Sequence, residues 1–555
     1  MSENPDAGNS GEVHRRVRTK FDDNMTPSSD SSASPESCKI RALGIWPART
    51  LVPVIFLPGI MGSNLCSKKD KASAWVPPNG IGAGLGEYGR RKKQIPKERQ
   101  QQLTADDVEV FDVNKDIKIS DDYIALDKNE AKRRHWGEIH ADSYLEILSN
   151  LEEKLNHPFV GVEYSTPHAA PDWVHAMNPK KKKWTPKSPL TEDEFKNRMG
   201  EIYLPVYACG YNWLESNEES AKRVIARIEE IEKRTEGNGY YSYSGQVILV
   251  THSMGGLVGR RVAQMLDEKG QGNKILGVVH GVQPVTGAPA VYRRFKAGTE
   301  TGGFFDIAGA VAAVILGWDA ADVTCVLGNS PGPMELLPTK DYGAGWLHIT
   351  DGDKTIQLPK ADPYEEIYSV SAEDKWWGMV DPGLLDPAGK LKDHEDTTPR
   401  KYFLKQLEKA QTFHETVGLT CHPNTYAYYG DDPCQHSFNK VVWHTTQKFT
   451  GLSDDEVLDA PRGKFKLTGR TEALIGESAY TFKLNNKSDP GDGTVPTPSG
   501  AAASRLEGIK DVYTLDGFDH QFSYKNEIAQ HTVLYAIGKM VQAIELKEDG
   551  TCKPI

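Results

Sequence analysis

The sequence predicts an α/β fold: a mainly parallel, doubly wound sheet interrupted by a large inserted cap. Three observations predict it. The runs at 51–57 (LVPVIFL) and 247–250 (VILV) are wholly apolar, as suits strands buried on both faces. Segments with apolar residues at helical spacing alternate with such runs, so the centre reads β-α-β-α-β. Between about 289 and 420 the alternation stops, which marks an insertion. At 555 residues, 38% hydrophobic and 26% charged, the chain can bury a large core.

Residues 1 to about 40 are rich in Ser, Asp, Asn, Pro and Glu and poor in large apolar side chains, so a disordered tail is expected ahead of one domain over 41–555. The strand at 51–57 closes at Pro58-Gly59. Residues 66–134 are charged and poorly periodic and read as an insertion. Tyr144, Leu145, Ile147, Leu148 and Leu151 share a helical face that runs to Leu155, and 166–191 is a Pro/Lys-rich loop.

A strand at 203–208 follows, and then Ser216 and Glu219 read as a capping box before Ala221, Val224, Ile225, Ile228 and Ile231. Gly237-Asn238-Gly239 ends that helix. After the strand at 247–250, Leu257, Val258, Val262, Met265 and Leu266 repeat at helical spacing up to Gly270. Another apolar run lies at 275–279. The cap at 289–420 holds the apolar stretch 304–316 and tryptophans 318, 346, 376 and 377. Runs at 425–429 and 512–515 restore the strands, and 527–546 is a final amphipathic helix.

Charge narrows the function classes. A net charge of -11 gives no nucleic-acid footprint. The basic patches 90–93 and 180–183 read as solvated loops, with attraction to anionic lipid as the alternative. Seven cysteines, scattered and odd in number, make no disulfide framework. The uncharged segment 307–318 is short of the ~20 residues that span a bilayer, so it reads as a core helix, with lipid contact as the alternative. No secretory signal peptide is visible, and a soluble protein, cytoplasmic at synthesis, is expected. The GxGxxG match at 84–89 lacks the flanking strand and helix of a dinucleotide site. Cys421, His422, Cys434 and His436 fit no familiar zinc spacing, so no metal or cofactor is expected; calcium near the site is not readable.

One short stretch asks for chemistry. In VILVTHSMGGLVGRR, Ser253 lies between a buried strand and a helix that opens on Gly255-Gly256. That is the setting of a nucleophile elbow, whose pattern is G-x-S-x-G. Gly255 fits the second glycine and Thr251 replaces the first; an ordinary capping serine is the competing reading. A serine nucleophile needs a histidine base and an orienting carboxylate, which in this architecture follow in the order Ser, acid, His. His520 lies beyond the 512–515 strand and before the last helix. Asp492, between glycines in SDPGDGTVP, is the candidate acid, with Asp431 and Asp432 at the end of another strand as rivals. The oxyanion hole would come from the N–H of Met254 and of Met61 in LPGIMGSNL, with Ile60 as the alternative to Met61.

LPGIMGSNL (57–65), VYACGYNW (206–213), THSMGGLV (251–258), GDGTVP (491–496) and GFDH (517–520) resemble the lecithin:cholesterol acyltransferase and lysosomal phospholipase A branch of the α/β-hydrolases. They also resemble bacterial type VI secretion lipase effectors and, less closely, GPI inositol-deacylases. The resemblance spans the sheet-forming half of the chain. It implies an α/β-hydrolase fold, the triad Ser253, Asp492 and His520, and hydrolysis of a lipid carboxylic ester in a membrane, foremost a phospholipid acyl chain. An acyltransferase, or a non-enzymatic binding or adaptor protein on this scaffold, are the alternatives. An effector exported by a signal-independent route would reconcile a membrane-lipid substrate with the missing signal, and would travel with an immunity or chaperone partner.

Overall fold

A computed structural model describes residues 13–17, 19–29, 40–44, 47–77, 94–114, 117–119, 125–160, 168–179, 184–299, 317, 319–393, 397–459, 466–467, 472–475 and 480–546. Its central elements are Val54–Leu57 (β1), Ala141–Asn156 (α1), Val206–Ala208 (β2), Asn217–Thr235 (α2), Val247–His252 (β3), Gly255–Glu268 (α3), Ile275–Gly281 (β4), Pro399–Val417 (α4), Thr420–Gly430 (β5), Glu507–Leu515 (β6) and Glu527–Met540 (α5). The six strands form one parallel sheet in the order β2-β1-β3-β4-β5-β6. Strand order reverses between β1 and β3, and crevices at such switch points are where open α/β sheets bind ligands.

Period-two alternation sends successive side chains to opposite faces. Ile55, Leu57, Val247 and Leu249 pack with Val224 and Ile228 of α2 and Val258 and Val262 of α3. Val54, Phe56, Ile248 and Val250 pack with Ile147 and Leu151 of α1 and Leu534 and Ile537 of α5. Both faces are therefore covered, and the doubly wound expectation holds.

Two predicted strands are broken in the middle. The run at 51–57 divides into Thr50–Leu51 and β1, and the run at 203–208 into Ile202–Tyr203 and β2. Each break falls at a proline, Pro53 or Pro205, which has no N–H to give to a ladder. The capping box is also different. The Ser216 hydroxyl accepts from Glu218 N, while its own proton goes to the Glu335 carboxylate (2.5 Å), which accepts from Asn217 N as well. A carboxylate from the cap region thus caps α2, and Glu219 pairs with Lys222 instead.

The expected loops carry more structure than their composition suggests. Within 66–134 lie a three-stranded antiparallel sheet (Leu65–Ser67, Ser73–Trp75, Val108–Val110) and the helices Pro96–Gln102 and Lys128–Arg133. Within 166–191, the helix Pro171–Met177 buries Trp173 completely against Phe195. The expected tail is ordered in part: Lys20–Phe21 pairs with Pro27–Ser28, Phe21 stacks on Tyr203 and Met25 is fully buried. Arg134, buried between Glu130 and Glu152, offers its guanidinium face to the Phe21 ring at 5.5 Å, and Arg133 donates to Phe21 O and pairs with Asp23.

The cap is built from two stretches of chain. Its six-stranded sheet takes Leu347–Thr350 and Thr355–Leu358 from before β5, but Val441–His444, Lys466–Leu467, Glu472–Ile475 and Tyr480–Leu484 from after it. The predicted boundary at 420 therefore misses the second half. Residues 84–93, 180–183, 304–316 and 318 lie outside the described residues. Among those described, no helix is long and apolar enough to cross a membrane.

Met25→Ala should lower the unfolding free energy by about 2–5 kcal/mol, the usual range for emptying a buried methionine site. Urea unfolding of the full chain measures it. A change below about 0.5 kcal/mol would show that the segment contributes no packing.

Candidate active site

Ser253 follows β3 directly and has a φ of 53°, a left-handed conformation that costs a non-glycine residue about 1–2 kcal/mol. Its N–H donates to Gly281 O at the end of β4 (2.9 Å), and its carbonyl accepts from Gly256 N (2.9 Å). The turn is tight enough that a Cβ on Gly255 would lie 2.5 Å from Pro58 O and 2.7 Å from Leu57 O. Glycine is needed there so that the helix start can press against the end of β1.

The missing first glycine has its own explanation. The methyl group of Thr251 sits 3.0 Å from where Gly259 would carry a Cβ. The space that a glycine in the strand would leave is supplied from α3 instead. The Thr251 hydroxyl lies 2.8 Å from His280 Nδ1, and the Thr251 carbonyl accepts from Tyr524 OH (2.7 Å).

His520 comes to the serine from the loop after β6. Its Nδ1 is 2.8 Å from Asp492 Oδ2 and its Nε2 is 2.8 Å from Ser253 Oγ. An ionised carboxylate only accepts, so Nδ1 carries the proton and Nε2 is free to accept from the serine hydroxyl. The other Asp492 oxygen accepts from Thr494 N (3.0 Å) and Val495 N (2.7 Å), and His520 N donates to Asp492 O (2.7 Å). The acid is 1% exposed and Ser253 5%.

The contest over the acid has a topological answer. The chain leaves β5 at Gly430, builds the second half of the cap, and returns as Asp489–Gly491 paired antiparallel with Asp432–Ser437. Asp492 is thereby laid against the end of β5, where a Cβ on Gly430 would lie 2.7 Å from its own Cβ. Asp431 accepts from Thr497 Oγ1 (3.0 Å). Asp432 accepts from Cys434 N and, at 2.9 Å, from Gly517 N in the loop that carries His520. Neither is the partner recorded for His520; Asp432 steadies the histidine's loop, a role sequence reasoning missed.

The oxyanion loop reaches the serine at Gly59. A Cβ there would lie 3.0 Å from Ser253 Cβ and 2.9 Å from His252 Nδ1. Ile60 and Met61 follow Gly59 directly, so the N–H groups of both candidate partners of Met254 lie on the loop that touches the serine. Among the described residues, none of these three N–H groups has a protein acceptor. Met61 has a φ of 63°, and its carbonyl accepts from Trp75 Nε1 (2.9 Å), so a side chain of the first insertion holds the loop's shape. Cys421 and His422 are engaged locally, with Glu507 O and Asn424 N, and no group of three potential metal ligands exists among the described residues.

The sheet order, the left-handed serine at the switch point and the Ser-His-Asp hydrogen bonds define an α/β-hydrolase. No family model matches the chain, and no curated protein matches it. A solved structure, the crystal structure of the Tle4-Tli4 complex, contains a chain 31% identical that matches with a TM-score of 0.69 over 89% of this chain and 99% of that one. The protein belongs to the family of the matched chain of that complex.

Gly259→Ala should cost roughly 1–3 kcal/mol through overpacking against Thr251, and much less when Thr251 is alanine. Urea unfolding of the two single variants and the double variant measures the coupling; additive effects would refute the compensation. A second expectation concerns pH. His252 and His280 are each 1% exposed, and burial first, then His520 and Arg260 respectively, pull them down to about 3. Between about pH 6.5 and 3 the unfolded chain protonates these side chains and the folded chain does not, so stability falls on acidification, by about 1.4 kcal/mol per pH unit for each. His280→Gln should flatten the unfolding free energy against pH by about that slope; an unchanged slope contradicts it.

Proposed function

We propose that the chain is a serine hydrolase of lipid carboxylic esters, a phospholipase acting on membranes, delivered to a target cell as a type VI secretion effector. The observation that carries this reading is the Ser253 Oγ to His520 Nε2 contact of 2.8 Å on a left-handed elbow. Ser253 attacks the ester carbonyl while His520 Nε2 takes the hydroxyl proton. The resulting oxyanion receives the N–H of Met254 and that of Ile60 or Met61. Collapse breaks the C–O bond, and His520 returns the proton to the leaving alkoxide. Water, deprotonated by the same nitrogen, then releases the fatty acid and restores the serine. Asp492 holds the imidazole in the required tautomer throughout.

The lipid assignment draws on the motif resemblance carried by the segments around Ser253, Asp492 and His520. The solved relative is a complex with a second protein, Tli4, which suits the immunity partner expected for a toxin kept inactive in its producer. Synthesis in the cytoplasm and export without a cleaved signal belong to the same proposal.

Ser253→Ala should fold normally, lose fluorophosphonate labelling and lose hydrolysis by up to about a million-fold. Asp492→Asn should cut turnover by orders of magnitude through the wrong tautomer, with small effects from Asp431→Asn and Asp432→Asn. Mass spectrometry of products from phospholipid vesicles identifies the ester cleaved. Release of no fatty acid, with a soluble ester still hydrolysed, would overturn the membrane substrate but keep the esterase.

A further inference from the structure

His252, the residue before the serine, faces away from the reaction yet touches both halves of the machinery. Its ring is buried at 1% exposure. Nε2 lies 2.8 Å from the carbonyl oxygen of His520, and Nδ1 lies 3.0 Å from Tyr144 OH. Gly59 N donates to the same tyrosine oxygen (3.1 Å). The ring centroids of His252 and His520 are 5.1 Å apart, and those of His252 and Tyr144 5.5 Å.

The protons in this chain have one consistent arrangement. A carbonyl only accepts, so His252 Nε2 must carry a hydrogen and donate to His520 O. Burial pulls the His252 imidazole down to about 3, so the ring is neutral and Nδ1 is a bare acceptor. Tyr144 must therefore donate to Nδ1, which leaves its oxygen lone pairs for the Gly59 N–H and the Gln521 side-chain amide. Burial also pushes the Tyr144 phenol up to about 12, so its proton stays in place. The bonds run in a single direction, from the oxyanion loop through α1 and the end of β3 to the backbone of the base.

We propose that His252 is a positioning residue, which sets the His520 backbone against the oxyanion loop through Tyr144. The proposal rests on the reading of Ser253 and His520 as the catalytic pair. The His520 peptide is gripped on both sides, its N–H by Asp492 O and its carbonyl by His252 Nε2. With the backbone fixed, the imidazole has only its own torsions left, and Asp492 fixes those. A misplacement of about 1 Å at a reacting group can cost about a hundredfold in rate, so the loss of one grip is visible in turnover rather than in binding.

Two substitutions separate the two bonds. An asparagine amide falls where Nδ1 was and keeps the Tyr144 bond; a glutamine amide reaches the Nε2 place and keeps the bond to His520 O. Hydrolysis of a soluble short-chain ester is measured per active site, titrated with a fluorophosphonate, beside the thermal midpoint of each variant. His252→Asn should lower kcat about ten- to a hundredfold with KM within about twofold, and His252→Gln should recover at least about fivefold of that loss. Tyr144→Phe, which keeps the ring and its packing, should lower kcat several-fold. Equal losses in Asn and Gln, or a Tyr144→Phe turnover equal to wild type, would overturn the positioning role even if one histidine variant fails to fold. A wild-type chain that takes no fluorophosphonate label overturns the nucleophile assignment, and the positioning role with it; label lost only in Ser253→Ala, with His252→Asn turning over like wild type, overturns the positioning role alone.

Discussion

Everything at the candidate site depends on how closely the end of β1 and the start of α3 approach each other. Gly59 has no room for a Cβ beside Ser253 and His252, and Gly255 has none beside the carbonyls of Leu57 and Pro58. The two backbones meet where the strand order reverses, so the candidate nucleophile and the candidate oxyanion loop come from neighbouring strands whose helices lie on opposite faces of the sheet. The price of the contact is a serine held at φ 53°, and the core around it is large enough to hold the strain. Substituting either glycine would push the loop off the serine before it disturbed the sheet.

What the sequence made legible follows from local physics. Runs rich in apolar and aromatic residues marked the six strands, and helical spacing marked α1, α2, α3 and α5, because burial on two faces leaves a pattern that does not depend on distant residues. Ser253 and His520 were readable from their positions after strands. Asp492 was readable only through the glycines beside it, because the strand end it is laid against, that of β5, is more than fifty residues back in the chain. A cap strand built from residues 441–444 leaves no local sign that it will pair with 347–350. Likewise the docking of Phe21 and Met25 rests on a buried Arg134 network whose members are far apart in sequence. Composition reads a charged or Pro-rich stretch as loop, and tertiary contacts overrule it wherever a tryptophan such as Trp75 or Trp173 finds a buried place.

The insertions are part of the site, not decoration on it. Trp75, from the first, bonds the Met61 carbonyl and so shapes the oxyanion loop. Glu335, from the cap, caps α2, whose apolar face packs on the same sheet side as α3. The second half of the cap ends by placing Asp492. A sheet stripped of these additions would keep Ser253 and His520 but lose the Asp492 carboxylate at His520 Nδ1 and the Trp75 indole at the Met61 carbonyl.

The second half of the cap is tied to the site at its neck. Asp492 sits immediately after its returning strand and must stay within hydrogen-bond distance of His520 for the base to work, and that strand is clamped to Asp432–Ser437. Ser437 reinforces the clamp, its hydroxyl donating to Val495 O and accepting from Gly493 N. The turn that carries Asp492 is therefore fixed from three sides, by the paired strand, by Ser437 and by the end of β5. The geometry between Asp492 and His520 thus depends on the antiparallel pair at the neck of the insertion and not on the cap sheet beyond it.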